Sequence, residues 1–286
     1  MTNQNQLPSY TDDVTQYTKR DAVHALLFAV YVSLLTLGFS VSVTVFARSG
    51  IEGQFGVVLM LPALLPLLFI VKKKGQSLHS LGLRFLNWKK AVGVGLFFVA
   101  ILMMLFGGLL PGLLAGWQFQ SGWVIAWLVV YTLAMAFWED VIFIGYIQTR
   151  IYGLIKKDKI AVLAVGLIFA VIHYPLVIVV NILMGGGFGF AFWINLMVQQ
   201  TFFWLLMHIL LNAVFRCFRS IIPVTMLHFA VNFSNGRLWV NGGGDGFNTL
   251  FSLGVVVFSV VLVTETLSGF QKQKILQNEQ IKYPLL

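Results

Sequence analysis

Apolar runs close to the roughly 20 residues needed to cross a bilayer recur along this chain from residue 26 to residue 267. No other feature constrains the fold as strongly. The chain is 58% hydrophobic and only 10% charged, where soluble domains carry about 25% charged residues. It therefore reads as all-α, a multi-pass membrane protein. Eight spans are expected, at 24–47, 54–71, 91–113, 123–147, 160–182, 190–214, 221–240 and 248–267.

The net charge of +9 raises the question of nucleic acid, and its distribution answers it. Lys19 and Arg20 precede the first span, and six basic residues from Lys72 to Lys90 lie between the second and third. Arg150, Lys156, Lys157 and Lys159 follow the fourth, Arg216 and Arg219 follow the sixth, and Lys272, Lys274 and Lys282 occupy the tail. Only Arg48 and Arg237 fall on the other side. The positive-inside rule then places both termini in the cytoplasm, and the basic excess serves topology and anionic lipid. The partners implied are the lipid bilayer and a peptide or membrane-protein substrate, with no nucleic acid.

The expected organisation is a cytoplasmic segment 1–23, one transmembrane domain 24–268 and a cytoplasmic tail 269–286. The first apolar run follows a polar head and lacks a small-residue cleavage site, so it reads as an uncleaved span. A single cysteine, Cys217, excludes an intramolecular disulfide framework. The longest internal loop, 72–90, is expected to lie on the membrane surface as a partly amphipathic linker. The glycine-rich "MGGGFGF" and "NGGGDGF" follow no strand and open no helix in the manner of a phosphate cradle, so they read as external turns.

Of ten acidic residues, only Glu139 and Asp140 lie well inside a span. A charge at that depth costs on the order of 3 kcal/mol, so such residues face an interior or a wet cavity. His173, His208 and His228 also lie at membrane depth. Helical spacing puts Phe169 with His173, His208 with Asn212, and His228 with Asn232 on shared faces. Pro175 should disturb the helix carrying His173 and free backbone carbonyls. Counting about 1.5 Å per residue, Glu139, His208 and His228 fall in the inner half of the bilayer, with His173 nearer the middle. About eight helices enclosing an intramembrane polar cavity would gather them.

The residue types suit two chemistries. A carboxylate can take a proton from water, with His and Asn donors stabilising an oxyanion. Two His and one carboxylate also suit a divalent metal such as zinc. The spacing does not choose between them. Intramembrane carboxylates and histidines serve proton-coupled transporters as well, although no paired Gly/Pro-interrupted helices mark matching halves.

Taken in order, "EDVIFIG" (139–145), "FAVIH" (169–173) and "HFAVN" (228–232) resemble the CPBP intramembrane protease family. That family comprises type II CaaX prenyl endopeptidases and the bacteriocin-processing or immunity relatives also called Abi proteins. Its pattern is Glu-Glu-x-x-x-Arg, Phe-x-x-x-His and His-x-x-x-Asn/Asp, matched here across 123–233, and the "LGLR" of the linker is similar too. The resemblance implies an intramembrane endopeptidase of the cell membrane in which Glu139 activates water with help from His173. His228 and Asn232 would then form the oxyanion site, or His173 and His228 with Glu139 would ligate a metal. Asp140 and Phe169 take supporting roles. His208 and Asn212 match no motif and are second-tier candidates.

Two departures stand out. Asp140 replaces the second Glu, and Ile144 occupies the position of the motif Arg, removing a cation that would balance the carboxylates. Arg150, six residues on, is not expected to substitute. This departure supports an alternative in which the chain is a catalytically silent scaffold or bacteriocin-immunity protein. The basic asymmetry yields a direct topological expectation. Cysteine-accessibility labelling should find sites near Lys73 and Lys157 on the cytoplasmic side, and sites near Gly186 and Gly243 outside. Labelling of the Lys157 and Gly186 regions from one side would overturn the eight-span topology.

Overall fold

The computed structural model describes residues 17–48, 61–84, 88–101, 113, 118–183 and 185–233. Its elements are helices throughout: α1 (Lys19–Arg48), α2 (Leu61–Lys73), α3 (Trp88–Ile101), α4 (Gly122–Asp140), α5 (Asp158–Ile172), α6 (Tyr174–Leu183), α7 (Phe190–Ile194), α8 (Thr201–Phe218) and α9 (Ile221–Phe233). Four stretches are long and apolar enough to cross a membrane: Lys19–Gly38, Gly122–Ile151, Asp158–Val179 and Phe190–Arg216. The all-helical, multi-pass reading therefore stands. The expected second, third and seventh spans are described only in part, and the eighth, 248–267, lies outside the described residues.

Local chemistry sets the helix ends. Thr18 and Asp21 form a reciprocal cap at the start of α1. The Thr18 amide donates to Asp21 Oδ2 (3.0 Å), and the Asp21 amide donates to Thr18 Oγ1 (3.3 Å), satisfying donors that an open helix end would leave bare. Lys74 ties that cap to the end of α2 by an ion pair at 2.7 Å. Inside α2, Pro66 has no N–H to offer Pro62, four residues back. The hydroxyl of Tyr31 in α1 donates to that carbonyl at 2.7 Å.

The bundle is assembled around α9, which packs against α3, α4 and α8, while α8 lies along α5, and α1 along α6. After Asp140 the fourth helix continues as a wide π-helical segment, Val141–Gln148, before a last α turn, Thr149–Ile151. Side chains complete the hydrogen bonding there. Thr149 Oγ1 donates to the carbonyls of Gly145 (2.7 Å) and Tyr146 (3.0 Å), and Arg150 Nη1 to Gly145 (3.1 Å).

The linker, expected to lie on the membrane surface, instead enters the bundle. Ser80 and Leu81 of its 3₁₀ turn, Leu78–Leu81, are fully buried. Arg150 Nη1 donates to the Ser80 carbonyl (2.9 Å), and Nη2 to Ser80 Oγ and Gln76 Oε1 (both 2.7 Å). The guanidinium also stacks between Tyr17 and Tyr146, 4.6 Å from each ring. Gly82 closes the turn at φ 75°, a conformation that favours glycine, and its carbonyl accepts the first amide of α9, Ile221, at 2.9 Å. The "LGLR" turn thus seats α9.

Gly145 lets the turn approach, because a Cβ there would lie 2.4 Å from the Leu81 carbonyl oxygen. Gly145→Ala must push backbone from backbone, an overpacking that costs about 1–3 kcal/mol. The expected outcome is a lowered thermal midpoint and lower abundance in membranes. Unchanged stability would show that the turn is not seated against this helix.

Candidate active site

Three helices each contribute one part. Glu139 and Asp140 end α4, His173 sits at the break between α5 and α6, and His228 lies in the middle of α9. Adjacent helical residues point about 100° apart, so the two carboxylates meet their surroundings on different sides. A single imidazole serves both. His228 Nδ1 lies 3.0 Å from Asp140 Oδ1 and Nε2 lies 3.6 Å from Glu139 Oε2. A carboxylate oxygen accepts, so Nδ1 carries the hydrogen. Asp140 and His228 are buried.

The geometry of His173 follows from the helix break. Pro175 stands in the first turn of α6, and α5 tightens at its end so that the His173 amide bonds to Ala170 rather than Phe169. That frees the Phe169 carbonyl, and His173 Nδ1 donates to it at 2.6 Å. The tightened end of α5, beside Pro175, thus offers the carbonyl that aims the ring. His173 Nε2 then faces Glu139 Oε2 at 3.9 Å. Both Nδ1 atoms are committed, and both Nε2 atoms look at one carboxylate oxygen. The side chains of Glu139 and His173 are each 12% exposed, so the focus is nearly, not wholly, enclosed.

Phe169 lies at the centre. Its ring is 4.8 Å from His173, 6.3 Å from His228 and 5.0 Å from Phe143, all edge-on. His208 also contacts it, at 5.8 Å, but its hydrogen bond runs elsewhere. His208 Nε2 meets Gln148 Oε1 at 3.0 Å, Gln148 Nε2 donates to the Tyr152 hydroxyl (3.3 Å), and that hydroxyl donates to Asp158 Oδ1 (2.5 Å). Arg216 pairs with the same Asp158 oxygen. Asn212 is buried one turn beyond His208. Asn232 lies one turn beyond His228 and is partly exposed; its side chain joins none of the hydrogen bonds described above.

The structure therefore brings together Glu139, Asp140, His173 and His228 around Phe169, and assigns His208 to a second polar network. Ile144, at the motif arginine position, is 1% exposed and belongs to the main apolar cluster. An arginine there would have to bury its guanidinium in that packing. Sequence reasoning missed Gln148, Tyr152 and Trp204, whose partners lie on other helices; only the rarity of a polar Gln148 in an apolar run marked it.

Glu139, His173 and His228 have the donor types of a zinc site. Among the described residues, however, no three His, Cys, Asp or Glu side chains are placed to hold a metal ion, so the residues as they stand do not fit that group.

The site is thus a polar cluster in an apolar helical bundle, with two carboxylates, one buried and one nearly so, faced by imidazoles. Residues 120–234, which contain all three motifs, match the family described as type II CAAX prenyl endopeptidase Rce1-like. Over that stretch, which is less than half of the chain, it is similar to the CAAX-type intramembrane proteases. No curated protein and no solved structure matches it.

The two histidine motifs are distinguished by experiment. His208→Ala leaves Gln148 Oε1 buried without its partner, a loss of about 1–3 kcal/mol, and should lower stability while sparing most activity per molecule. His228→Ala leaves the buried Asp140 without its partner and should also lower abundance, but it should abolish activity per molecule. The reverse ranking would show that His208 belongs to the reacting centre.

Proposed function

We propose that the chain is an endopeptidase of the cell membrane, both termini cytoplasmic, that hydrolyses peptide bonds of membrane-associated or peptide substrates. The reading rests on one observation: a carboxylate oxygen of Glu139 is faced by the Nε2 atoms of His228 and His173 at 3.6 and 3.9 Å. Both separations exceed a direct hydrogen bond, so the three atoms converge without bonding one another, and in this reading one water beside them contacts all three. Glu139 takes a proton from that water as its oxygen attacks the scissile carbonyl carbon. The oxyanion that forms is stabilised by a proton on His228 Nε2 and by the Asn232 amide. Asp140 holds His228 in the orientation and charge state this needs. The proton held by Glu139, steadied by His173, passes to the amide nitrogen as the C–N bond breaks, leaving a carboxylic acid and an amine.

In this reading the imidazolium of His228, between two carboxylates, takes the place of the cation lost at Ile144. The family suggests prenylated CaaX peptides as a first substrate class, with other precursor peptides next.

Glu139→Gln keeps size and shape but cannot accept the proton. Loss of a general base costs about 10²–10⁴-fold, and membrane abundance should not fall because a buried charge is removed. The measurement is peptide cleavage by the reconstituted full chain, normalised to protein, with and without a zinc chelator. Full activity of Glu139→Gln would sink the protease reading in favour of a silent scaffold or immunity protein. Chelator-sensitive activity restored by zinc would instead make His173, His228 and Glu139 metal ligands.

A further inference from the structure

His173 is less restrained by packing than His228. It sits at a helix break, is partly exposed, and holds one hydrogen bond, from Nδ1 to the Phe169 carbonyl. A single hydrogen bond fixes one atom of a ring and leaves the plane free to swing about it. Nε2, on the far side of the ring, is the atom that faces Glu139, so its position depends on the plane.

Trp204 of α8 supplies a plane. Its indole lies parallel to the His173 imidazole, with ring centres 4.0 Å apart and 11° between planes. Trp204 is itself held edge-on by Phe203 at 4.9 Å and by Phe169 at 5.9 Å. One turn further along α8, the His208–Gln148 hydrogen bond at 3.0 Å fixes this helix against the end of the fourth. The second polar network therefore sets the position of α8, and α8 sets the indole.

We propose that Trp204 is a positioning residue for the reaction: its indole face fixes the ring plane of His173 and so directs Nε2 at Glu139. This rests on the hydrolytic reading above. Trp204 acts through His173 and touches no reacting atom. Misplacing a reacting group by about 1 Å can cost on the order of 10²-fold in rate, so the effect should appear in kcat and not in KM.

The test uses the full chain in lipid nanodiscs and a peptide library read by mass spectrometry. A substrate is a peptide cut by wild type and spared by Glu139→Gln, and kinetics follow on that peptide. Trp204→Leu removes the flat face and should lower kcat by about 10- to 100-fold with KM within about twofold. Trp204→Phe keeps a flat ring and should restore most of kcat. In a His173→Ala background, Trp204→Leu should cost nothing more, because the two residues act as one unit. Should Trp204→Leu fail to reach the membrane, Trp204→Met, which fills space with a flexible chain, is measured with the same expectation. Undiminished kcat, a change confined to KM, equal losses for Phe and Leu, or a further loss in the His173→Ala background would each overturn the proposal. Cleavage that survives Glu139→Gln overturns the hydrolytic reading instead, and the two failures are thereby separate.

Discussion

Two neighbouring carboxylates inside a membrane helix impose the constraint on which the rest of the architecture depends. They point apart, they repel each other, and each needs a donor in a place where water is scarce. The structure meets this with the two nitrogens of one imidazole, Nδ1 on Asp140 and Nε2 toward Glu139. Such bridging requires His228 to reach the end of α4 at full depth, and α9 is correspondingly buried along most of its length. The turn that seats α9 must then be brought in from the linker, and Arg150 anchors that turn. A cation missing from the carboxylate motif and an arginine buried two turns away thus belong to one arrangement. The imidazole of His228 lies between the two carboxylates, and Arg150 holds the linker.

Phe169 has a separating role. Its ring contacts His173 and His228 of one polar cluster and His208 of the other, and its carbonyl accepts from His173. An apolar partition keeps the surface-linked network, ending in Asp158 and Arg216, from merging with the cluster around Glu139. The two polar networks therefore have separate hydrogen-bond partners.

Much of this was legible in the sequence, and the unread part has a common cause. Span periodicity and basic asymmetry depend on local composition, so helical class emerged directly. Glu139, His173 and His228 stood out because polar residues in lipid are costly and few. The perturbation at Pro175 was legible because proline acts on its own helix. The buried turn of the linker was not legible because its amphipathic pattern does not reveal that Leu81 packs against Gly145 of the π-helical segment, nor that Arg150 is the partner of Ser80, 70 residues away. His208 could not be separated from His228 by spacing, since both precede an Asn by four residues. Their partners tell them apart, Gln148 for His208 and the two carboxylates for His228. Trp204 was invisible for the same reason: stacking on His173 joins two helices across 31 positions.

The π-helical stretch after Asp140 has an evolutionary corollary. Such a segment holds more residues per turn than an α-helix, so the loss of one residue can be absorbed by rewinding as α, with the residues downstream kept close to their bearings. Glu139 and Asp140, upstream, would keep their places, and Gln148 and Arg150 could still face His208 and Ser80. The interval from the carboxylates to Arg150 can therefore take a one-residue change in length that would turn the end of a straight α-helix away from its partners.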